Sequence, residues 1–290
     1  MADGDLVSNY WELEYRETLL GGSSSFALVK AEGLIDMPPL TTSDRLRLRR
    51  NGLSPGDDFV SSRSVVLDIE VDAETTDDLN TTMATLLDIT RPGLDESPLT
   101  VKIPGLAGGG KRRLNVRPRR RQVPVDLDFF YGLPMVTVEF VATDPRIYDA
   151  TPWRVVTALP SGSGGLSFPA TSPLYFEASS ETGDVEAENE GTFPVAPVIR
   201  IDGPVTNPSV THLEKGYTLD FTITLGASDY LLIDNESRSV LLNGTSNRYS
   251  TLSSTSQWWD LDPGDNTIRF RSDANTEAAV MTAFYRSAWL

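Results

Sequence analysis

Apolar residues at every second position decide most of what this chain can fold into. Val65, Leu67, Ile69 and Val71 alternate with Val66, Asp68, Glu70 and Asp72. Successive side chains of a strand point to opposite faces, so such a run buries one face of a sheet and wets the other. The same period sets Trp11, Leu13 and Tyr15 against Glu12, Glu14 and Arg16, and recurs at Leu99, Val101 and Ile103 and at Leu114 and Val116. Val136, Val138 and Phe140 form a further strand that ends at the turn signal Asp144, Pro145.

One stretch breaks the period. Leu79, Met83, Leu86 and Leu87 are spaced as one face of a helix over residues 75–90. Thr75 or Thr76 can cap its start, Asp77 and Asp78 suit the positive end of the helix dipole, and Arg91, Pro92 and Gly93 stop it. Residues 1–150 therefore read as a β-barrel or sandwich carrying one helix.

The texture changes after Asp149. Residues 160–165 (PSGSGG) read as a loop, and the remainder of the chain reads as short strands separated by turn signals. Ile199 and Ile201 lead to Gly203 and Pro204. Leu219, Phe221, Ile223 and Leu225 alternate with polar residues. Residues 230–233 and 239–242 form a hairpin around Asp234 and Asn235, and Ile268 and Phe270 alternate with Arg269 and Arg271. Residues 151–290 are expected to be a jelly-roll or sandwich with no helix. The fold class is mainly β, in two domains divided near residue 150.

Charge and rare residues narrow the chemistry. Net charge is −16, split as −7 over residues 1–150 and −9 over 151–290, so neither half offers a large basic face to nucleic acid. There is no cysteine and one histidine, His212. Disulfides and cysteine-ligated zinc are excluded, and any Ser–His–Asp system would have to use His212, which reads as a surface loop residue. No apolar run approaches the roughly 20 residues of a membrane helix. No basic region followed by an apolar block opens the chain, so folding in a cytoplasm is expected. No cofactor or metal site is expected. Asp260, Asp262 and Asp265 suggest calcium, but position twelve from Asp260 is Arg271, where an EF-hand needs Glu. Residues 105–110 (GLAGGG) lack the Lys-Ser/Thr ending of a P-loop and read as a hairpin tip.

Two features invite a binding role. Residues 111–122 (KRRLNVRPRRRQ) hold Lys111, Arg112, Arg113, Arg117, Arg119, Arg120 and Arg121, seven of the 25 basic residues. The readings are a solvated strand, a DNA contact, or a seam with an acidic partner. Subunits of net negative charge need positive surfaces to meet one another, which favours the seam. Arg45, Arg47 and Arg49 carry the same logic. In residues 258–266 (WWDLDPGDN), Pro263 and Gly264 set a turn, Trp259 and Leu261 share a buried face, and Trp258 is left at a surface. Trp258 could stack on a sugar or pack on a neighbouring loop.

The order of motifs resembles a known family. Residues 189–192 (NEGT), 197–204 (PVIRIDGP), 229–234 (DYLLID), 240–244 (VLLNG), 258–266 and 268–271 (IRFR) follow the C-terminal domain of siphophage distal tail proteins. Residues 136–140 (VTVEF) and 144–148 (DPRIY) resemble the end of that family's N-terminal domain, while residues 1–110 match only in kind. The resemblance implies an N-terminal domain related to tail-tube proteins that assembles as a hexameric ring, and a peripheral galectin-like sandwich. It implies the tail-tube protein, the tape-measure protein and a baseplate hub or tail-fibre protein as partners, and a place in the virion tail tip. The function expected is structural, not enzymatic. The alternative is a carbohydrate-binding adhesin, marked by an exposed aromatic beside convergent polar groups. A glycan hydrolase would need two carboxylates about 5–10 Å apart across a cleft.

Overall fold

A computed structural model describes residues 4–160, 183–273 and 278–290. They divide into two compact units, Met1–Thr151 with Trp289–Leu290, and Pro152–Ala288. Both are built on antiparallel sheets. No described helix is long and apolar enough to cross a membrane. The loop expected at 160–165 falls, beyond Pro160, outside the described residues.

The first unit is one long sheet. Its path runs Thr18–Gly21, Glu12–Tyr15, Ser97–Lys102, Arg112–Gln122, Met135–Ala142, Arg63–Val71 and Phe26–Glu32, with Ile147–Asp149 paired beside Arg112–Gln122. No ladder joins the two end strands among the described residues, so the sheet is open, not a closed barrel. Register stacks the alternating apolar residues into rows: Val65 faces Phe140, Leu67 faces Val138 and Ile69 faces Val136. Leu114 faces Leu99, which also faces Tyr15. The Tyr15 ring meets Phe140 edge-on at 4.9 Å, tying the two halves of the core. Thr76–Ile89 is helical, with Thr75 accepting the Asp78 N–H. Met83, Leu86 and Ile89 are its buried residues, whereas Leu87 faces out. A second, one-turn helix at Leu127–Phe130 was not expected from the pattern.

Glu12 and Glu14 depart from the alternation, since both are buried with Leu13 and Tyr15. Glu14 accepts the Gly4 and Leu6 N–H groups at 3.1 and 2.8 Å, and Glu12 those of Ser8 and Asn9 at 2.7 Å. The carboxylates thus satisfy a strap of otherwise orphan backbone donors. Donation from Asn9 and Ser8 holds the Glu12 carboxyl below its ordinary value.

The second unit pairs a six-stranded sheet with a four-stranded one. In the larger, Ile199 lies between Ile233 and Ala283, and Ile201 between Leu231 and Met281. In the smaller, Val210 lies between Leu219 and Phe270. Each sheet buries one face, as a sandwich requires. The hairpin Tyr230–Asp234 with Ser239–Leu242 forms as expected. The run 219–225 does not form one strand: Tyr217–Asp220 and Thr224–Leu225 join different sheets.

On this unit Asp184 faces Arg269 across neighbouring strands. Arg269 grips it with two hydrogen bonds of 2.8 Å, and Arg271 adds one of 3.3 Å. The Arg269 side-chain hydrogen bond is the main cause that holds the Asp184 carboxyl below its ordinary 3.8. A depressed carboxyl stabilises the fold above the unfolded value, and that contribution is lost as pH falls through the folded one. Asp184→Asn should therefore destabilise the second unit near neutrality, and the gap to the unmodified chain should narrow below pH 3.8. Urea titrations at a series of pH values would test this; a gap that stays constant into acid would refute it.

Candidate assembly surfaces

Three regions of the first unit carry side chains that the unit itself does not use. The basic strand is the first. Strand parity turns Arg112 inward with Leu114, Val116 and Pro118, so Arg112 is buried. Its guanidinium lies 3.3 Å from Asp149, donates to the Ala107 carbonyl and sits 4.0 Å from the Trp289 ring centroid. It is thereby committed inside the unit and leaves the set of candidate contacts. Lys111 donates to the Gly4 carbonyl, Arg113 to Asn115 and Arg117 to the Leu94 carbonyl. Arg121 reaches the end of the long helix, donating to the Leu87 carbonyl at 2.9 Å and the Thr90 hydroxyl at 2.7 Å. A cation there complements the helix dipole. Arg119 and Arg120 are exposed at a bulge after Pro118 and make no hydrogen bond or ion pair with the described residues. With Arg121, Thr90, Pro92 and Pro118 they line a cleft of about 220 Å³.

An arm is the second region. Between Glu32 and Arg63 the chain leaves the sheet as two short ladders, Leu40–Thr42 with Asp58–Val60 and Arg45–Leu46 with Leu53–Ser54. The Ser61 N–H donates to the Pro39 carbonyl at 2.8 Å and closes the neck. Gly33 starts the excursion at positive φ, where a Cβ would overlap the Ser64 carbonyl. Arg63, only 1% exposed, locks this base. It donates to the carbonyls of Pro145, Gly33 and Asp36 at 2.9, 2.8 and 2.7 Å. Burial lowers the pKa of its guanidinium. Those carbonyls answer Nε and Nη1, while Nη2 is buried with no hydrogen-bond partner among the described residues. Beyond the neck the large apolar side chains stand in solvent: Leu46 and Leu48 are 82% and 92% exposed, and Phe59 is exposed with them.

The third region is a knob at residues 125–133. The one-turn helix is capped by Asp126, which accepts the Phe129 N–H. Val125, Leu127, Phe130 and Tyr131 all project into solvent, Phe130 at 80% exposure. The sequence signal lies in the run Phe129, Phe130, Tyr131, which fits neither period and so cannot be wholly buried in a sheet or a helix.

The second unit offers less. Trp259 is buried as its parity required, and Trp258 is half-buried against Tyr249, with nearly parallel rings and centroids 6.3 Å apart. A polar cleft of about 350 Å³ is lined by residues including Asn207, Asp220, Thr222 and Asp273, but Trp258 is not among them. The aromatic and polar groups an adhesin would bring together are therefore lodged in different places. His212 is not a surface loop residue. It is buried in the Ser209–His212 strand, hydrogen-bonded to Asn266 at 2.9 Å and edge-on to Trp259. Its ring serves packing between strands. No cluster of three or more potential metal ligands occurs among the described residues.

Residues 190–289 match the model of the family described as siphovirus-type tail component, C-terminal domain. The whole-chain fold matches SPP1 Dit, described as a paradigm of the hub adsorption apparatus in phages infecting Gram-positive bacteria. That match has a TM-score of 0.68 at 15% identity and covers 96% of this chain and 99% of the other. The chain is similar to siphophage distal tail proteins. Chains of the phage P2 baseplate in its activated conformation also match. The form with Ca gives a TM-score of 0.49 at 10% identity over 91% of each chain. The form with Sr gives 0.48 at 10% identity over 95% of this chain and 97% of the other. A search of curated protein sequences returned no match. At 15% identity the likeness to SPP1 Dit establishes a shared fold, and the family match makes residues 190–289 similar to the C-terminal domain of siphovirus-type tail components.

Proposed function

We propose that this chain is a structural ring protein of a phage tail tip that joins the tail tube to the baseplate hub and the host-recognition proteins. The observation that carries the reading is the arm. Burying a large apolar side chain is worth roughly 1.5–3 kcal/mol, and monomers rarely leave several exposed on one projection. Leu46, Leu48 and Phe59 gain that energy only against another molecule. Repeated head to tail, such a contact closes into a ring, in keeping with the hexamer that the family resemblance implies. The first unit forms the ring in this reading, and the second unit is peripheral. The tail-tube protein, the tape-measure protein and a hub or tail-fibre protein are the partners, and the product is a virion part made in the host cytoplasm. Its work is geometric, with no catalytic step, membrane insertion or sequence-specific nucleic-acid contact.

The test removes the arm from the full chain. Residues 40–60 would be replaced by two glycines between Pro39 and Ser61, whose backbones already meet. Light scattering and negative-stain imaging should show rings for the unmodified chain at high concentration and monomers for the deletion, at an unchanged melting temperature. Rings formed equally well without the arm would defeat the proposal, as would an unmodified chain that never associates.

A further inference from the structure

The geometry points to the knob at residues 125–131 as the seat on which the arm of a neighbouring copy docks. This rests on the ring reading above and names the surface that receives the arm.

Arm and knob lie at opposite ends of one strand pair. The Arg63–Val71 strand pairs with Met135–Ala142 in a register that sets Arg63 against Ala142 and Glu70 against Met135. The arm leaves the sheet at the Arg63 end. The knob enters it at the other, where the Val71 N–H donates to Pro134 and the Ala73 N–H to Gly132. The eight steps from Arg63 to Val71, at about 3.3 Å each, put the two features roughly 26 Å apart along the strand. An arm seated on a neighbour's knob joins two different surfaces; passed on from copy to copy, that contact is heterologous and closes into a ring when the rotation allows.

Chemistry then matches the two ends. The arm tip alternates Arg45, Leu46, Arg47, Leu48, Arg49 and Arg50, with no carboxylate from there to Gly56. Those four arginines are exposed and make no ion pair with described residues. On the knob, Asp126 and Asp128 are interleaved with Val125, Leu127 and Phe130. Each surface is half apolar and half charged, and the charges are opposite. Apolar contact supplies the burial, and the charge pairing orients it and rejects tip-on-tip or knob-on-knob encounters. Every group at this contact is exposed in the single chain, although Asp126 also serves the fold by capping the one-turn helix.

A charge exchange in the full chain tests it. The tip variant carries Arg47→Glu and Arg49→Glu. The knob variant carries Asp126→Asn, which keeps the helix cap, and Asp128→Arg. Each alone should need at least about tenfold more protein to form rings, because like charges then face each other. An equimolar mixture should regain assembly, since the reversed tip fits the reversed knob and the native tip the native knob. Phe130→Ala should weaken assembly at an unchanged melting temperature and serves as the control should a charge variant fold poorly. If the arm deletion abolishes rings while the knob variant and Phe130→Ala assemble normally, the knob is not the receptor and the ring reading survives. If both charge variants fail alone and their mixture is not rescued, direct tip-to-knob pairing is overturned.

Discussion

Replacing Arg63 by alanine should cost the first unit on the order of 3–5 kcal/mol, from buried carbonyls left without a donor at about 1–3 kcal/mol each and from the cavity that remains. Arg63 is almost fully buried, and its guanidinium satisfies carbonyls from two loops: Gly33 and Asp36 at the arm base, and Pro145 after the Met135–Ala142 strand. Alanine would leave these carbonyls without their donor and open a cavity where the side chain ran. A melting-temperature drop on the order of 10 °C is the expected result for a unit of this size. Arg63→Met separates the two causes: it restores most of the volume and none of the hydrogen bonds, so it should recover only part of the loss. Hydrogen exchange should quicken at Gly33 and Ser61 in both variants, since the neck of the arm loses its lock. Full recovery by methionine would mean that packing, not hydrogen bonding, is what Arg63 supplies.

Trp259→Ala should be as damaging to the second unit, at about 3–5 kcal/mol out of the roughly 5–15 kcal/mol that a domain has. The indole is 3% exposed and meets the buried His212 ring edge-on at 5.3 Å. Its Nε1 has no acceptor among the described residues, so part of the burial gain is offset by an orphan donor. Trp259→Phe removes that donor while keeping an aromatic ring, and should cost no more than roughly 1–2 kcal/mol. Trp258→Ala, which loses only a half-exposed stack on Tyr249, should cost less than Trp259→Ala by a wide margin. Chemical denaturation of the three variants would decide; equal losses at 258 and 259 would contradict the difference in burial.

Strand parity was legible because it is a local property. Val65 to Val71, Leu114 and Val116, and Ile199 and Ile201 derive from period two alone, and Trp258 and Trp259 divide as that period expects although neither lies in a strand. The same rule, pressed one step further, would have found the buried arginines: Arg63 shares its face with Val65, and Arg112 with Leu114. Charge composition drew attention to 111–121 as one basic patch, yet the strand divides it into alternate residues with different surroundings. His212 misled for a related reason. Whether a polar ring lies inside depends on a partner such as Asn266, 54 residues away, which no local pattern announces. The buried Glu12 and Glu14 needed the strap of residues 4–9, and the open sheet needed the long-range ladder order. The arm was visible only as alternating Arg and Leu, which a strand in a sheet would show equally well. Exposure on both of its faces is a tertiary fact.

The stack of Trp289 on Arg112 bears on how the chain is made. Trp289 belongs to the first unit but lies beyond the whole of the second in sequence, so the first unit is interrupted by the second. Chain emerging during synthesis can pair the first unit's strands early, yet Arg112 stays without its aromatic cover until the insert has been translated. Loop-closure entropy would tax a disordered insert of that length, though only logarithmically. The insert removes most of that tax itself. Trp153 pairs with Tyr285 across antiparallel neighbours, so once the second unit has folded its entrance and exit are side by side. Folding of the later unit thus becomes the step that completes the earlier one, and fragments cut at residue 151 should differ from the intact first unit at Arg112 before they differ anywhere else.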